Sequence, residues 1–332
     1  MANRRNFLQN SRYMNSYHAC VDIGGTKVAV SLADAQSCAT RTLHARIAEP
    51  TAKEGKNDAL ARQIVRLIDA SLAQMNASRD HVQSVGISSC GPFVLNAGKV
   101  ELAAPNICGG LAGKARGLPN DWQTAQLEAP IASVFPNVRV ENDCIGALEA
   151  ERQWGELQGI SNCAYVTWST GIGMGLCVDG QVLRGKNGNA GHGGHMFVSD
   201  NMDALCGCGN VGDVEGLVAG NAIERRFGQN AASLFIAYRA ESTPANDHIH
   251  ALCRVMGRAL YNLIVTLDLE RISLGGSVFW HNQDIILPLL QREIKGKLAS
   301  LTDGCSLVPA GLGLQVGDLG ALALTRANHP QI

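Results

Sequence analysis

No run of about 18 consecutive apolar residues occurs in this 332-residue chain, so a membrane-spanning helix is not expected. Neither sign of charge is in surplus: 28 Lys and Arg face 29 Asp and Glu, for a formal net charge of −1. That balance argues against a nucleic-acid partner and against an acidic solvating tail. Aromatic residues make up only 5%, and the four Trp are not interleaved with Lys or Arg, so no base-stacking surface is expected. Residues 1–17 carry Arg4, Arg5 and Arg12 but no apolar core of a signal peptide, and are expected to form a disordered N-terminal extension. The 11 cysteines are odd in number and scattered through apolar segments such as those around Cys20, Cys163 and Cys177. They lack the short regular spacing of a disulfide scaffold, which places the chain in a reducing cytoplasm with most thiols as small core hydrophobes.

What is present is glycine (37 residues) and a hydrophobic fraction of 46%, enough at this length for two lobes rather than one core. The apolar run His18–Ile23 reads as a short buried strand, ending at Gly24-Gly25-Thr26-Lys27 and followed at once by a strand over Val28–Ala33. Arg41–Ala48 reads as a third strand. Asp58–Leu72 carries Leu60, Ile64, Leu67 and Ile68 at helical spacing. Val82–Ser88 reads as a strand broken by Gly91-Pro92. Val138–Val140 leads into Glu141-Asn142-Asp143 and a helix over about 145–154. A strand over Ala164–Thr167, a turn over Ser169–Gly175, and strands over Leu176–Val178 and Gln181–Arg184 follow. Helices are expected over 249–267 and 319–326, with a strand ending at Gly275-Gly276 between them. The strand–turn–strand unit near Asp22 returns near Ser169, a weak internal repeat that implies two similar α/β lobes.

The two turns share a chemistry. Glycines let backbone N–H groups approach an anion, and a neighbouring hydroxyl adds a donor. Asp22, Gly24, Gly25, Thr26 and Lys27 supply this plus a cation and a carboxylate suited to Mg²⁺ through water. Ser169, Thr170, Gly171 and Gly173 supply a second such turn. Each could be an ordinary hairpin; two, in separate halves, point to phosphate. Neither is a Walker loop, since no GKS or GKT follows, nor a dinucleotide fingerprint, since a strand rather than a helix comes next. Asn142 and Asp143 could be a helix cap, a catalytic pair, or both.

From about Ala19 to Leu324 the chain resembles the ROK family (repressors, open reading frames and kinases). The resemblance rests on Asp22–Lys27, Glu141-Asn142-Asp143, Ser169–Gly175, Gly188–His195, Cys206–Glu215 and Leu274-Gly275-Gly276. It implies a two-lobed actin-like ATPase (ribonuclease H-like) fold with a central cleft. The expected lobes are 18–125 plus 318–332, and 126–317. It also implies an ATP-dependent sugar kinase using Mg²⁺, with Asp143 as the base for a sugar hydroxyl, most simply O6 of a hexose or hexosamine. Asn106, Asn142, Asp143, His192, His195 and Glu215 are the implied sugar contacts, and Gly275-Gly276 the adenosine-side turn. His195, Cys206, Cys208 and Asp213 are the implied ligands of a structural zinc.

Three positions depart from the family pattern: Ser169 stands where Gly is usual, Asp213 where Cys is, and His192 where Glu is. The last unsettles which sugar is bound, since imidazole lacks a carboxylate's two acceptor oxygens. A homodimer is the implied assembly. The competing readings are a catalytically weak sugar sensor, and a regulator of the same family, which would need a DNA-binding domain ahead of His18. Polyphosphate is the competing donor.

Overall fold

The computed structural model describes residues 16–112, 117–200 and 204–326. The described residues fall into two compact units, one from those of 16–149, 184–189 and 317–326, the other from those of 150–183 and 190–316. The expected 1–17 extension lies outside the described residues except at positions 16 and 17, and Tyr17 already opens the first strand.

The first unit is built on strands β1 (Tyr17–Ile23), β2 (Lys27–Ala33), β3 (His44–Pro50), β4 (Val82–Ser89) and β8 (Val138–Asn142), in the order β3-β2-β1-β4-β8. β1, β2 and β3 are antiparallel; β1, β4 and β8 run parallel. β3 starts at His44 rather than Arg41, because Ser37–Thr40 forms a short helix that ends with Arg41 in the left-handed region at φ 57°. The apolar stripe of α1 (Ala59–Gln74) is buried as its spacing requires, with Leu60, Ile64, Leu67 and Ile68 all at 0% exposure. A small antiparallel sheet of β5 (Phe93–Asn96), β6 (Lys99–Leu102) and β7 (Ala125–Gln126) completes the unit.

The expected lobe boundary at 125/126 is corrected here. β8 pairs in parallel with β4, Ser89 opposite Asn142, so the chain through Glu149 belongs to the first unit. The loop 184–189 joins it too. Arg184 Nε donates to the buried Glu141 carboxylate at 2.7 Å, and the Asn189 amide exchanges two hydrogen bonds with the Phe93 backbone, each 2.8 Å. Gln181–Val182 is therefore a shorter strand (β11) than the expected Gln181–Arg184.

The second unit repeats the first sheet. β9 (Cys163–Trp168), β10 (Ile172–Val178), β11, β12 (Arg271–Gly275) and β13 (Ser306–Pro309) lie in the order β11-β10-β9-β12-β13, with β9, β12 and β13 parallel. The internal repeat seen in sequence is this shared topology. β10 begins at Ile172, four residues before the expected strand. Gly173 and Gly175 are paired strand residues opposite Thr167 and Tyr165, while Met174 is buried between them. The glycine run thus alternates with apolar residues at strand period, and the true turn is only Ser169–Gly171.

Helix α2 (Asp143–Trp154) carries Glu151, which is fully buried. Its carboxylate accepts from Leu312 N (2.9 Å), Gly311 N (3.0 Å), Glu156 N (3.0 Å) and Ser273 Oγ (3.1 Å). Removing it strands those donors away from water. Glu151→Leu is expected to destabilise the second unit by about 3 kcal/mol; a urea titration showing a loss below about 1 kcal/mol would contradict this assignment.

Candidate active site and metal cluster

Parallel strands end at one level, and ligand sites in α/β sheets lie beyond their carboxyl ends. In the first sheet those ends carry Asp22 on β1, Cys90 just past β4, and Asn142 and Asp143 at the junction of β8 and α2. The Gly24–Lys27 turn closes with Gly24 N donating to Lys27 O at 2.8 Å. Thr51, not anticipated from sequence, braces it: its hydroxyl donates to Gly24 O at 2.8 Å and its N–H to Thr26 O at 3.1 Å. Gly25 lies against the Asn106 side chain, so closely that a Cβ there would collide with it. Asn106, an expected sugar contact, thus lies beside the turn formed by Gly24, Gly25, Thr26 and Lys27, which follows Asp22.

Asn142 caps α2, and Asp143 is its first residue. Each presents its Oδ1 to Cys144 N, at 3.0 and 2.9 Å. Asn142 is buried and Asp143 exposed. Behind them Glu141, 1% exposed, is held by Arg139 Nη2 at 2.9 Å and Arg184 Nε at 2.7 Å, which fixes the end of β8.

The local field is negative. Burial first, then the nearby charges of Asp143 and Asp318, push the Asp22 carboxyl up to about 6, against the pull of Lys27 and Arg46. Burial first, then Asp143 and Asp22, pushes the Cys90 thiol up to about 12. Cys90 and Asp318 are neighbours that sequence reasoning missed. The signal for Asp318 was its place in the first turn of α4 (Val316–Leu324), which packs Ala321 against Gly86 of β4. Nothing in the sequence marked Cys90.

In the second unit the Ser169–Gly171 turn follows β9, with Thr170 N donating to Ser169 Oγ at 2.6 Å and Gly220 N to Ser169 O at 2.8 Å. Gly276, at φ 87°, backs onto Trp168, so the Gly275-Gly276 turn stands beside it. The 190–195 segment lies on β10. Met174 N donates to Gly191 O at 3.0 Å, and Gly191, at φ 91°, approaches the Met174 carbonyl so closely that only glycine fits. This sets the His192 and His195 rings 6.3 Å apart and stacked.

His195, Cys206, Cys208 and Asp213 converge as expected, their ligand atoms all within 4.8 Å of one another. His195 Nδ1 is 3.3 Å from Asp213 Oδ2 and 3.8 Å from Cys206 Sγ, and Cys208 Sγ is 3.5 Å from Asp213 Oδ2. These three separations are close to the edges of a tetrahedron with metal–ligand bonds of about 2.0–2.3 Å, and two thiols, an imidazole and a carboxylate are a donor set of the kind zinc takes. Asp213 serves twice: Oδ1 caps the short helix α3 (Val214–Val218) by accepting from Gly216 N at 2.7 Å, while Oδ2 faces the cluster. A cysteine could fill the second role but would cap poorly. α3 also presents Glu215, whose Oε2 accepts from Ile172 N at 3.0 Å.

Two sheets of one topology, each with a glycine turn after its first parallel strand, have the two-lobed actin-like ATPase fold. The family model described as "ROK family" matches residues 18–328. The chain therefore belongs to the ROK family. An N-acetylmannosamine kinase of Escherichia fergusonii is 30% identical over 272 residues, covering 78% of this chain and 82% of that protein. The structure of a ROK hexokinase from Thermus thermophilus superposes with a TM-score of 0.75 at 28% identity, covering 93% and 97% of the two chains. A Streptomyces griseus ROK family glucokinase in complex with glucose and AMPPNP gives a TM-score of 0.67 at 25% identity, covering 92% and 98%. Among the described residues no helix is long and apolar enough to cross a membrane.

The raised Asp22 carboxyl has a consequence for stability. Its folded value near 6 lies above the ordinary 3.8, so between those values the folded protein holds more protons than the unfolded one. Stability therefore falls as pH rises through that window, and the penalty is complete above about 6. In Mg²⁺-free buffer, Asp22→Asn is expected to raise Tm by about 2–4 °C at pH 8 and leave it unchanged below about pH 4. Equal effects at both pH values, read by calorimetry, would remove this charge from the account.

Proposed function

We propose that this chain is a carbohydrate kinase that transfers the γ-phosphoryl group of ATP to a hydroxyl, most simply O6, of a hexose or hexosamine, with Asp143 as general base. The observation that carries the reading is the Asp143 carboxylate at the level where β1, β4 and β8 end, in the same electrostatic field as Asp22 and its glycine turn. The family relatives named for glucose and N-acetylmannosamine support the substrate class.

The chemistry asks for alignment more than covalent work. Asn142 and Asn106 orient the sugar, and Asp143 takes the proton of the attacking hydroxyl. The N–H groups of Gly24, Gly25 and Thr26, with Lys27, hold one side of the phosphates. Ser169, Thr170 and Gly171 offer a second set of phosphate donors, and Gly275-Gly276 is suited to the adenosine. Asp22 would hold Mg²⁺ through water, and that ion neutralises charge on the phosphates. His192, His195 and Glu215 read sugar hydroxyls. With imidazole at 192 instead of a carboxylate, the preferred sugar is expected to differ from that of relatives bearing Glu there. His195 turns Nδ1 to the metal cluster, which leaves Nε2 for a hydroxyl. Zinc on His195, Cys206, Cys208 and Asp213 would order this segment.

A coupled ADP-release screen across hexoses and hexosamines, run with ATP and separately with polyphosphate, tests the reaction and its donor. Asp143→Asn is expected to lower kcat by about 10²–10⁴-fold with the sugar Kd, measured by calorimetry, within about threefold of wild type. Undiminished turnover in that variant would remove Asp143 from the mechanism. Elemental analysis is expected to find about one zinc per chain. Asp213→Asn, which keeps the Oδ1 cap, should lose much of it. Metal-free protein straight from purification would retire the zinc site.

A further inference from the structure

Glu215 has more contacts than a sugar-reading carboxylate needs, and all of them lie inside the second unit. Oε2 accepts from Ile172 N at 3.0 Å, at the point where the Ser169–Gly171 turn enters β10. The same oxygen would lie 2.8 Å from a Cβ on Gly171, so any side chain there would displace it. Oε1 faces Cys206 Sγ at 3.5 Å. One carboxylate therefore touches the turn on one side and a residue of the metal cluster on the other.

Its helix makes the link rigid. α3 is only five residues long. Its N-cap, Asp213, is fully buried and gives its second oxygen to the cluster. At the far end, Val218 O accepts from Trp168 Nε1 at 2.7 Å, and Gly220 N donates to Ser169 O at 2.8 Å. The helix is thus fastened to the metal ligands at its start and to both sides of the glycine turn at its middle and end.

We propose that Glu215 is a positioning residue that couples the metal cluster to the Ser169–Gly171 turn, so that metal loading of the cluster raises affinity for a nucleotide's phosphates. A filled cluster fixes Asp213 and Cys206, these fix α3, and Glu215 then holds Ile172 N and the turn in the geometry that presents its N–H groups. This rests on the kinase reading, because it takes the turn to be a phosphate site. A structural metal that acted only on the sugar segment would leave nucleotide affinity unchanged.

The test uses the full chain and Kd for a Mg²⁺-bound non-hydrolysable ATP analogue, measured by calorimetry without sugar. Protein stripped by 1,10-phenanthroline and dialysed is compared with protein reloaded with Zn²⁺. Reloaded wild type is expected to bind about tenfold more tightly than stripped wild type. Hydrogen exchange of the Ile172 amide should slow on reloading. Glu215→Ala should bind weakly whether or not zinc is present, while retaining zinc by elemental analysis. Glu215→Gln keeps an acceptor for Ile172 N and should restore the zinc response, which a merely misfolded alanine variant could not explain. Equal affinity of stripped and reloaded wild type, or a full zinc response in Glu215→Ala, would overturn the coupling. Wild type that binds no nucleotide in either state would overturn the kinase reading itself, and the coupling with it.

Discussion

Parallel register is the constraint from which the site follows. In the first sheet β1, β4 and β8 run side by side in one direction, and the pairings Ile23 with Ser89 and Ser89 with Asn142 end them at one level. Whatever follows each strand must then share one region: a glycine turn after β1, Cys90 after β4, and Asp143 after β8. The second sheet repeats the device, so that the Ser169–Gly171 turn after β9 stands beside Gly275-Gly276 after β12. Residues over a hundred positions apart in sequence are gathered by hydrogen-bonded ladders rather than by side-chain affinity.

Such gathering has an energetic cost that the protein offsets locally. Burial first, and then repulsion from Asp143 and Asp318, raises the Asp22 carboxyl to about 6. Lys27 and Arg46 partly oppose this. Two buried carboxylates elsewhere are held by donors or cations. Glu151 takes four donors, and Glu141 is flanked by two guanidinium groups. The contrast is physical: groups that hold strands in place are neutralised or hydrogen-bonded, whereas those at the strand ends stay poised for a cation or a proton.

In the second unit one short helix carries three duties. Asp213 caps it and faces the metal cluster, Glu215 reaches the glycine turn, and the carbonyl of Val218 anchors Trp168. Aspartate in place of the family's usual cysteine is intelligible in this light, because its two oxygens divide the capping and ligand roles. His192 stands beside His195 on β10, the two rings stacked.

The sequence by itself determined the elements with a clear period, such as α1, and the short-range motifs, namely the two glycine turns and Asn142-Asp143, whereas the His195, Cys206, Cys208 and Asp213 set was implied only by the family resemblance. These depend on local backbone chemistry and on spacings of a few residues. It also carried the repeat, because the same strand–turn–strand pattern must bury its apolar face in the same way twice. Tertiary structure alone decided that residues 126–149 belong to the first unit, that the glycines at 173 and 175 are strand rather than turn, and that Cys90, Thr51 and Asp318 surround the site. Each of those depends on which strand lies alongside which, and a hydrogen-bonded neighbour distant along the chain leaves no periodic mark on the residues it will meet.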